Sequence, residues 1–502
     1  MVARLTYEFG PKEDLEGEPT KEADYEYRLY GGNNRDNRID SGIRRRLPIV
    51  VLPALRDVED SLASWRRSPL RPLLDAAVAD IDRQHLIDLA TQYHELARVL
   101  SGTPEIAELG TRISYRLEHM VGDVFAFPVH LGFAPPDPDR LIRSVRLLVD
   151  EQQRGVGEAS LGSANLLFLT LKQLELDLSV QQKRHDHTFL GIEEPEAHLH
   201  PHVQRLVYKS VLQPRRHMPQ APGENEPANG VEASTTLLLT THSPHIVSVA
   251  PVRSLVLIKK AEGASIAAST ANLQLDDDEV SDLERYLDVT RGEVLFARGV
   301  ILVEGEAETY LIPAFARSLG YDLDQLGITV SSVAGTHFLP YVKLLGPQGL
   351  DLPVAVITDA DPMPNGSKLG YNRVRKLMRE IMRLQQPRPK ILDVDAPGFV
   401  ASAAEFGMFL NKHTLEVDLF NEGHHIEMME VLSDLTKVGK CRTRATKWSH
   451  EPEMMDPARL LKDIEKIGKG RFSQRLASEL NPDIAPPDYI VGAFEYLAEQ
   501  LQ

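Results

Sequence analysis

Gly299-Val-Ile-Leu-Val-Glu-Gly-Glu-Ala-Glu308 and Val354-Ala-Val-Ile-Thr-Asp-Ala-Asp361 are apolar runs that each stop abruptly in carboxylates. Near-continuous aliphatic and β-branched residues bounded by turn formers read as strands buried on both faces, the pattern of a parallel sheet. Ligands of open α/β sheets bind outside the carboxyl ends of the strands, so acids at two strand tips are expected to meet at one edge. Glu304, Asp359 and Asp361 would form an acidic cluster there, suited to Mg2+ or Mn2+, which prefer hard oxygen ligands.

Around these runs, 502 residues are enough for two or three domains. No run of about 18 apolar residues suggests a membrane span, and the N-terminus lacks the charged-then-apolar pattern of a signal peptide. The single cysteine, Cys441, excludes an internal disulfide and a cysteine-based zinc site. Together these predict a cytoplasmic protein. A net charge of −17 argues against a generally basic nucleic-acid coat. Local basic strips remain: Arg373, Arg375, Lys376, Arg379, Arg383, Arg388 and Lys390 in one, and residues 437–475 in another. Each reads either as a solvated helix face or as a set of phosphate contacts.

The pattern predicts strands at 3–9, 25–30 and 47–52, then amphipathic helix from Val58 to Met120, an arm or a dimerisation element. Helix is expected again over 138–182, then a strand at 188–192 and a helix at 200–212. Residues 213–234 read as an exposed loop, 235–240 and 254–258 as strands, and the acidic run Asp276-Asp-Asp-Glu279 as part of a linker over 261–290. An α/β segment follows from about 291 to 420, with a helical tail.

Phe189-Leu-Gly-Ile-Glu-Glu-Pro-Glu-Ala-His-Leu-His-Pro201 is a further apolar run that ends in acids. It has the Walker B arrangement, in which the first acid, here expected to be Glu193, helps hold Mg2+ and the second, expected to be Glu194, polarises the water that attacks the γ-phosphate. Glu196-Ala-His-Leu-His-Pro201 resembles the D-loop of ABC-type ATPases. Thr240-Thr-His-Ser-Pro244 resembles their switch loop, with His242 reaching the γ-phosphate. Ser160-Leu-Gly-Ser163 resembles their signature loop, which caps a partner subunit's nucleotide at a helix N-terminus. Ser160, Gly162, Ser163, Glu193, Glu194 and His242 are thus the ATP-binding candidates. No Gly-x-x-x-x-Gly-Lys-[Ser/Thr] occurs in the sequence. The N-terminal lobe that carries a P-loop is therefore expected to be missing, through truncation, a misassigned start or its residence on a separate partner chain. ATP hydrolysis by this chain alone is expected to be weak.

The Glu, then Asp-x-Asp pattern resembles the Toprim domain of topoisomerases, primases and certain nucleases. An ABC-type ATPase followed by Toprim resembles the overcoming-lysogenisation-defect (OLD) family of ATP-dependent endonucleases. The likeness is carried by residues 190–201, 302–308, 358–361 and Leu410-Asn-Lys-His-Thr-Leu-Glu-Val-Asp-Leu419, and more weakly by Leu52-Pro-Ala-Leu-Arg56 and Lys469-Gly-Arg-Phe472. It implies an α/β chain: an N-terminally incomplete ABC-type ATPase domain over 1–260 with a helical insertion, then a Toprim nuclease domain over 291–502 with a parallel sheet and a helical C-terminal extension. It also implies two-metal cleavage of DNA, with Glu304, Glu308, Asp359, Asp361, Thr414 and Glu416 as ligands and Lys469 as the catalytic cation. If a helix begins at the first acids, Glu308 shares a face with Glu304. On an extended strand Asp359 and Asp361 point the same way. Gly305 is expected to supply a tight turn, and Glu306 and Asp418 to be structural. A homodimer and a role in antiphage defence or DNA repair also follow from the resemblance. The rival readings are a non-catalytic ABC-type DNA-binding scaffold and another Toprim enzyme, topoisomerase- or primase-like.

Overall fold

The computed structural model describes residues 5–501 apart from 16, 55–57, 102, 122–126, 132–136, 150–153, 213–234, 262, 288–290, 363–368 and 385–390. The loop expected at 213–234 and the basic residues Arg388 and Lys390 lie outside the described residues. The chain forms two compact units, Met1–His200 with Pro214–Thr241, and Pro201–Gln213 with His242–Gln502. Among the described residues no helix is long and apolar enough to cross a membrane.

In the first unit, β1 (Leu5–Pro11) and β2 (Tyr25–Gly31) form an antiparallel pair, and β3 (Ile49–Leu52) follows. Helices Val58–Ala63, Leu70–Ala79, Arg83–Ser101 and Pro104–Val121 occupy the stretch read as amphipathic helix. The helix expected over 138–182 is interrupted: helix Pro138–Arg143 gives way to the short antiparallel strands β4 (Leu148–Val149) and β5 (Arg154–Gly155), and helix resumes at Leu161–Gln181. Ser160 sets that restart, because its hydroxyl accepts the Ser163 N–H at 3.2 Å, an N-cap that satisfies an otherwise orphan donor. β6 (Thr188–Glu193) and β7 (Thr235–Thr240) complete a parallel sheet in the order β3-β6-β7. Leu52, Leu190 and Ile192 of this sheet pack on Leu169 and Leu176 of the 161–181 helix. Ile49, Val51 and Leu238, on the opposite face, are exposed.

In the second unit, β8 (Val256–Ala261) and β9 (Ala264–Ser269) form a hairpin, and helix Asp277–Tyr286 follows. The stretch read as a linker therefore carries regular structure. Its acidic run is a helix start, with Asp276 accepting the Glu279 N–H at 2.8 Å and Glu279 accepting the Asp276 N–H at 3.1 Å. This reciprocal capping box, with further acids in the first turn, suits the positive end of a helix.

The main sheet contains β10 (Gly299–Val303), β11 (Ile328–Ser332), β12 (Val354–Thr358) and β13 (Met408–Leu410), all parallel, in the order β11-β10-β12-β13. Every residue of β10 and β12 is buried, as continuous apolar runs require. Alternate side chains feed two cores. Ile301, Val303, Ala355 and Ile357 pack with Leu311, Phe315, Phe472 and Phe494. Val300, Leu302, Val354 and Val356 pack with Phe338, Leu344, Val374 and Leu377. Each such burial stabilises the fold by about 1.5–3 kcal/mol before entropy is subtracted. From β10 the chain goes to β11 on one side and then to β12 on the other. The crevice beyond the carboxyl ends of β10 and β12 is therefore a topological switch point.

Candidate active site

Glu304 follows β10 directly and Asp359 follows β12 directly, so the fold delivers both to that crevice. Glu308 comes from the first turn of helix Glu306–Ser318, and Thr414 is the N-cap of helix Leu415–Leu419, which carries Glu416. Lys469 opens helix Lys469–Glu479 after Gly468, whose left-handed φ of 97° favours glycine. Its ammonium sits 3.0 Å from Glu416 Oε1.

Protein donors hold one oxygen of each carboxylate at the strand tips. Glu304 Oε1 accepts from Thr358 Oγ1 (2.5 Å), the Asp359 N–H (2.8 Å) and Arg373 Nη1 (2.5 Å). Asp359 Oδ1 accepts from Asn411 Nδ2 and from the Leu415 N–H at 3.1 Å. Asp361 Oδ2 accepts from Arg373 Nη2 at 2.9 Å. Partners of this kind orient a ligand's remaining oxygen and limit what an ion must reorganise. Asp418 has a structural part: its Oδ2 accepts the Lys412 and His413 N–H groups at 2.6 and 3.1 Å, fixing the loop that presents Thr414.

The electrostatics record crowding of like charge. Burial, with the Glu416 and Glu304 carboxylates adding to it, pushes Glu308 up to about 7. Burial and then Glu304, Glu308 and Glu416 push Asp359 well above the usual carboxylate range. For Lys469, burial works downward, but Glu416, Asp359 and Glu308 outweigh it and the net direction is up. Repulsion of this sort is what a bound cation relieves. Among the described residues Thr414 Oγ1 is buried without a hydrogen-bond partner, an oxygen ready for a ligand. By donor chemistry the set fits hard divalent ions. Among the described residues, however, no three carboxylate, imidazole or thiol groups converge closely enough to hold one ion. Arg373 lies between Glu304 and Asp361, and Lys469 lies against Glu416.

Several local expectations change. The strand ends at Thr358, and Asp361 has a left-handed φ of 47°, so Asp359 and Asp361 are not two positions of one extended strand. Gly305 has extended backbone, φ −143°, so the turn does not demand glycine. Helix begins only at Glu306, which is exposed. Arg373 counted in the sequence only as one charge of a basic strip. In the fold it is turned inward on helix Leu369–Ile381, while Lys376 and Arg379 of the same helix are exposed. Gly370 makes this possible: a Cβ there would lie 2.1 Å from the Asp359 carbonyl oxygen. Gly370→Ala is expected to lower stability by about 1–3 kcal/mol, since the helix would have to lift off that backbone. Thermal unfolding checks it, and an unchanged melting temperature would mean the contact is not close.

The ATP-site candidates of the first unit gather on two features. Ser160, Gly162 and Ser163 form the start of the 161–181 helix, with Ser160 and Ser163 hydroxyls 2.9 Å apart. Gly162 has a packing reason, because a Cβ there would lie 2.6 Å from the His198 carbonyl oxygen. Glu193 ends β6, and Glu194 after it has a left-handed φ of 41° while its N–H donates to the Thr240 carbonyl at 3.0 Å. Such backbone in a non-glycine residue is costly and concentrates at functional sites. His242 is exposed and opens the later part of the second unit.

A parallel sheet with carboxylates at its switch point is what a Toprim-type α/β domain requires, and the comparisons with known proteins give that class. The family described as overcoming lysogenization defect protein-like, TOPRIM domain, matches residues 295–361, which include Glu304, Glu308, Asp359 and Asp361. An AAA ATPase domain family matches residues 123–247. The chain is 22% identical over 317 residues to the Old nuclease of Escherichia phage P2, covering 59% of this chain and 51% of that protein. It is 24% identical over 368 residues to the OLD nuclease of Thermus scotoductus, covering 70% of this chain and 64% of that one. A solved C-terminal region of the Burkholderia pseudomallei OLD protein is 41% identical, with 41% of this chain and 100% of that chain covered and a TM-score of 0.38. The chain thus carries an OLD-like Toprim domain and an AAA-type ATPase domain, and proteins named OLD nuclease are among its relatives. It spans between half and two thirds of the length of these two curated relatives. Toprim and AAA-type ATPase domains generally use divalent metal and ATP.

Proposed function

We propose that the chain is a metal-dependent DNA endonuclease of the OLD type, hydrolysing phosphodiester bonds at the Toprim carboxylates, with the ABC-type ATPase region regulating it. The observation that carries this reading is the crowding of Glu304, Glu308, Asp359 and Glu416 at the β10–β12 switch point, with Lys469 seated on Glu416. Glu304, Glu308, Asp359, Asp361, Thr414 and Glu416 would hold Mg2+ or Mn2+. A pair of such ions stabilises the attacking and leaving oxygens of an in-line displacement. Lys469 is 45% exposed while Glu416 is 3% exposed, so the ammonium can face a phosphate while anchored below. The pinned oxygens of Glu304 and Asp359 keep the remaining ones aimed.

In the ATPase region, we assign Glu193 to Mg2+, Glu194 to the attacking water, Ser160, Gly162 and Ser163 to phosphate capping, and His242 to the γ-phosphate. Without a Gly-x-x-x-x-Gly-Lys-[Ser/Thr] in the sequence, these residues are not a complete nucleotide site. A homodimer, a partner that completes or regulates ATP use, cytoplasmic residence and a role in antiphage defence or DNA repair belong to the same proposal. The test is nicking of supercoiled plasmid with Mg2+ or Mn2+. The wild-type protein is expected to relax the plasmid and the Asp359→Ala/Asp361→Ala double variant to leave it intact. Equal nicking by the two would remove the nuclease reading.

A further inference from the structure

We propose that Arg373 is a resident cation of the carboxylate centre, a positioning residue that holds Glu304 in line and sets how strongly the centre takes divalent ions. The inference rests on the metal-dependent reading above. The guanidinium reaches four groups at the strand tips. Nη1 lies 2.5 Å from Glu304 Oε1, 3.4 Å from the Asp359 carbonyl oxygen and in contact with Thr358 Oγ1, and Nη2 lies 2.9 Å from Asp361 Oδ2. Arg373 is 15% exposed in its side chain, so it is not a solvated member of the basic strip. Its place is fixed from behind, since Gly370 one turn earlier lies directly on the Asp359–Ala360 backbone.

A guanidinium is planar, permanently charged and able to span two carboxylates, which an ammonium cannot do with the same geometry. Glu304 and Asp361 thus already share a positive charge, and an ion entering between them meets a partly neutralised pair. Removing that charge should strengthen cation binding. It also frees Glu304 from one of its three donors, so turnover should fall. A residue that only supported the fold would weaken binding and turnover together.

The experiment is Mn2+ titration by calorimetry of the full chain as wild type, Arg373→Gln and Arg373→Lys, with plasmid nicking at saturating Mn2+ in parallel. Arg373→Gln is expected to bind Mn2+ on the order of tenfold more tightly, from loss of a unit charge a few ångströms away, and to nick at least tenfold more slowly. Arg373→Lys, which can keep one ion pair, is expected to lie between on both measures, and it carries the same test if the glutamine variant does not fold. Unchanged or weaker Mn2+ binding in a folded variant overturns the inference and leaves the metal centre standing. No Mn2+ uptake by wild type or variants overturns the metal centre and the inference together.

Discussion

Glu304→Gln is expected to reduce DNA cleavage by about three orders of magnitude while leaving the fold intact. A single removed interaction at a reacting centre costs about a hundred- to a thousandfold, and in the proposed centre Glu304 would be an ion ligand as well as the anchor of Arg373. Alanine is the obvious substitution from the sequence, but the structure argues against it. Alanine would strand the Thr358 hydroxyl and the Asp359 N–H, which donate to Glu304 Oε1, and would leave Arg373 Nη1 without its carboxylate partner. An unpaired buried donor costs about 1–3 kcal/mol, so lost activity could reflect lost structure. Glutamine keeps an oxygen for those donors, while it removes the charge and replaces the other oxygen by an amide NH2 that cannot bind a cation. Plasmid nicking with Mn2+ beside a thermal melt decides it: activity within tenfold of wild type would take Glu304 out of the chemistry.

Glu308→Gln is expected to stabilise the metal-free protein at pH 8 and have no such effect near pH 4.5. The folded value of Glu308, about 7, lies above its ordinary 4.5 because burial favours the neutral acid. Between those values the folded state keeps a proton that the unfolded chain releases. Stability tied to this group is therefore fully present below pH 4.5, declines as pH rises to about 7 and is gone above it. The gap corresponds to about 3 kcal/mol, at about 1.4 kcal/mol for each pH unit. Glutamine is neutral throughout and avoids that loss. Melting curves of both proteins in EDTA from pH 4.5 to 8 test this, with a gap that widens upward as the expected result. A constant or inverted difference would contradict it. Added Mn2+ at pH 8 is expected to narrow or reverse the gap, since wild type alone keeps the full set of proposed ligands and binding to the folded state stabilises it.

Much of this architecture was legible along the chain. β10 and β12 lie where unbroken apolar runs stop in acids, because strand burial on both faces leaves a continuous apolar signature. β7 also spans the predicted residues, although alternate positions such as Leu238 are exposed. The stretch before Leu161 and the supposed linker were misread for a local reason. A two-residue strand pair such as β4–β5 is too short to show a period, and the acids at 276–279 look like a solvated run until their capping partners are seen. The Asp359 and Asp361 pair was read as one strand because alternation does not reveal a left-handed residue.

The sequence by itself determined the kinds of groups at the site and the strands that bring them there, because strand burial and strand-end acids are properties of neighbouring residues. Only the tertiary structure decided which carboxylate oxygens are held, that Arg373 points into the cluster rather than outward, and that Glu308 and Asp359 are pushed toward their neutral forms. Those outcomes depend on groups far apart in the chain. Gly370 meets the Asp359 carbonyl, Asn411 and Leu415 meet the Asp359 side chain, and Glu416 and Lys469 meet beside Glu308. Burial and charge proximity arise from folding, so no local pattern could carry them.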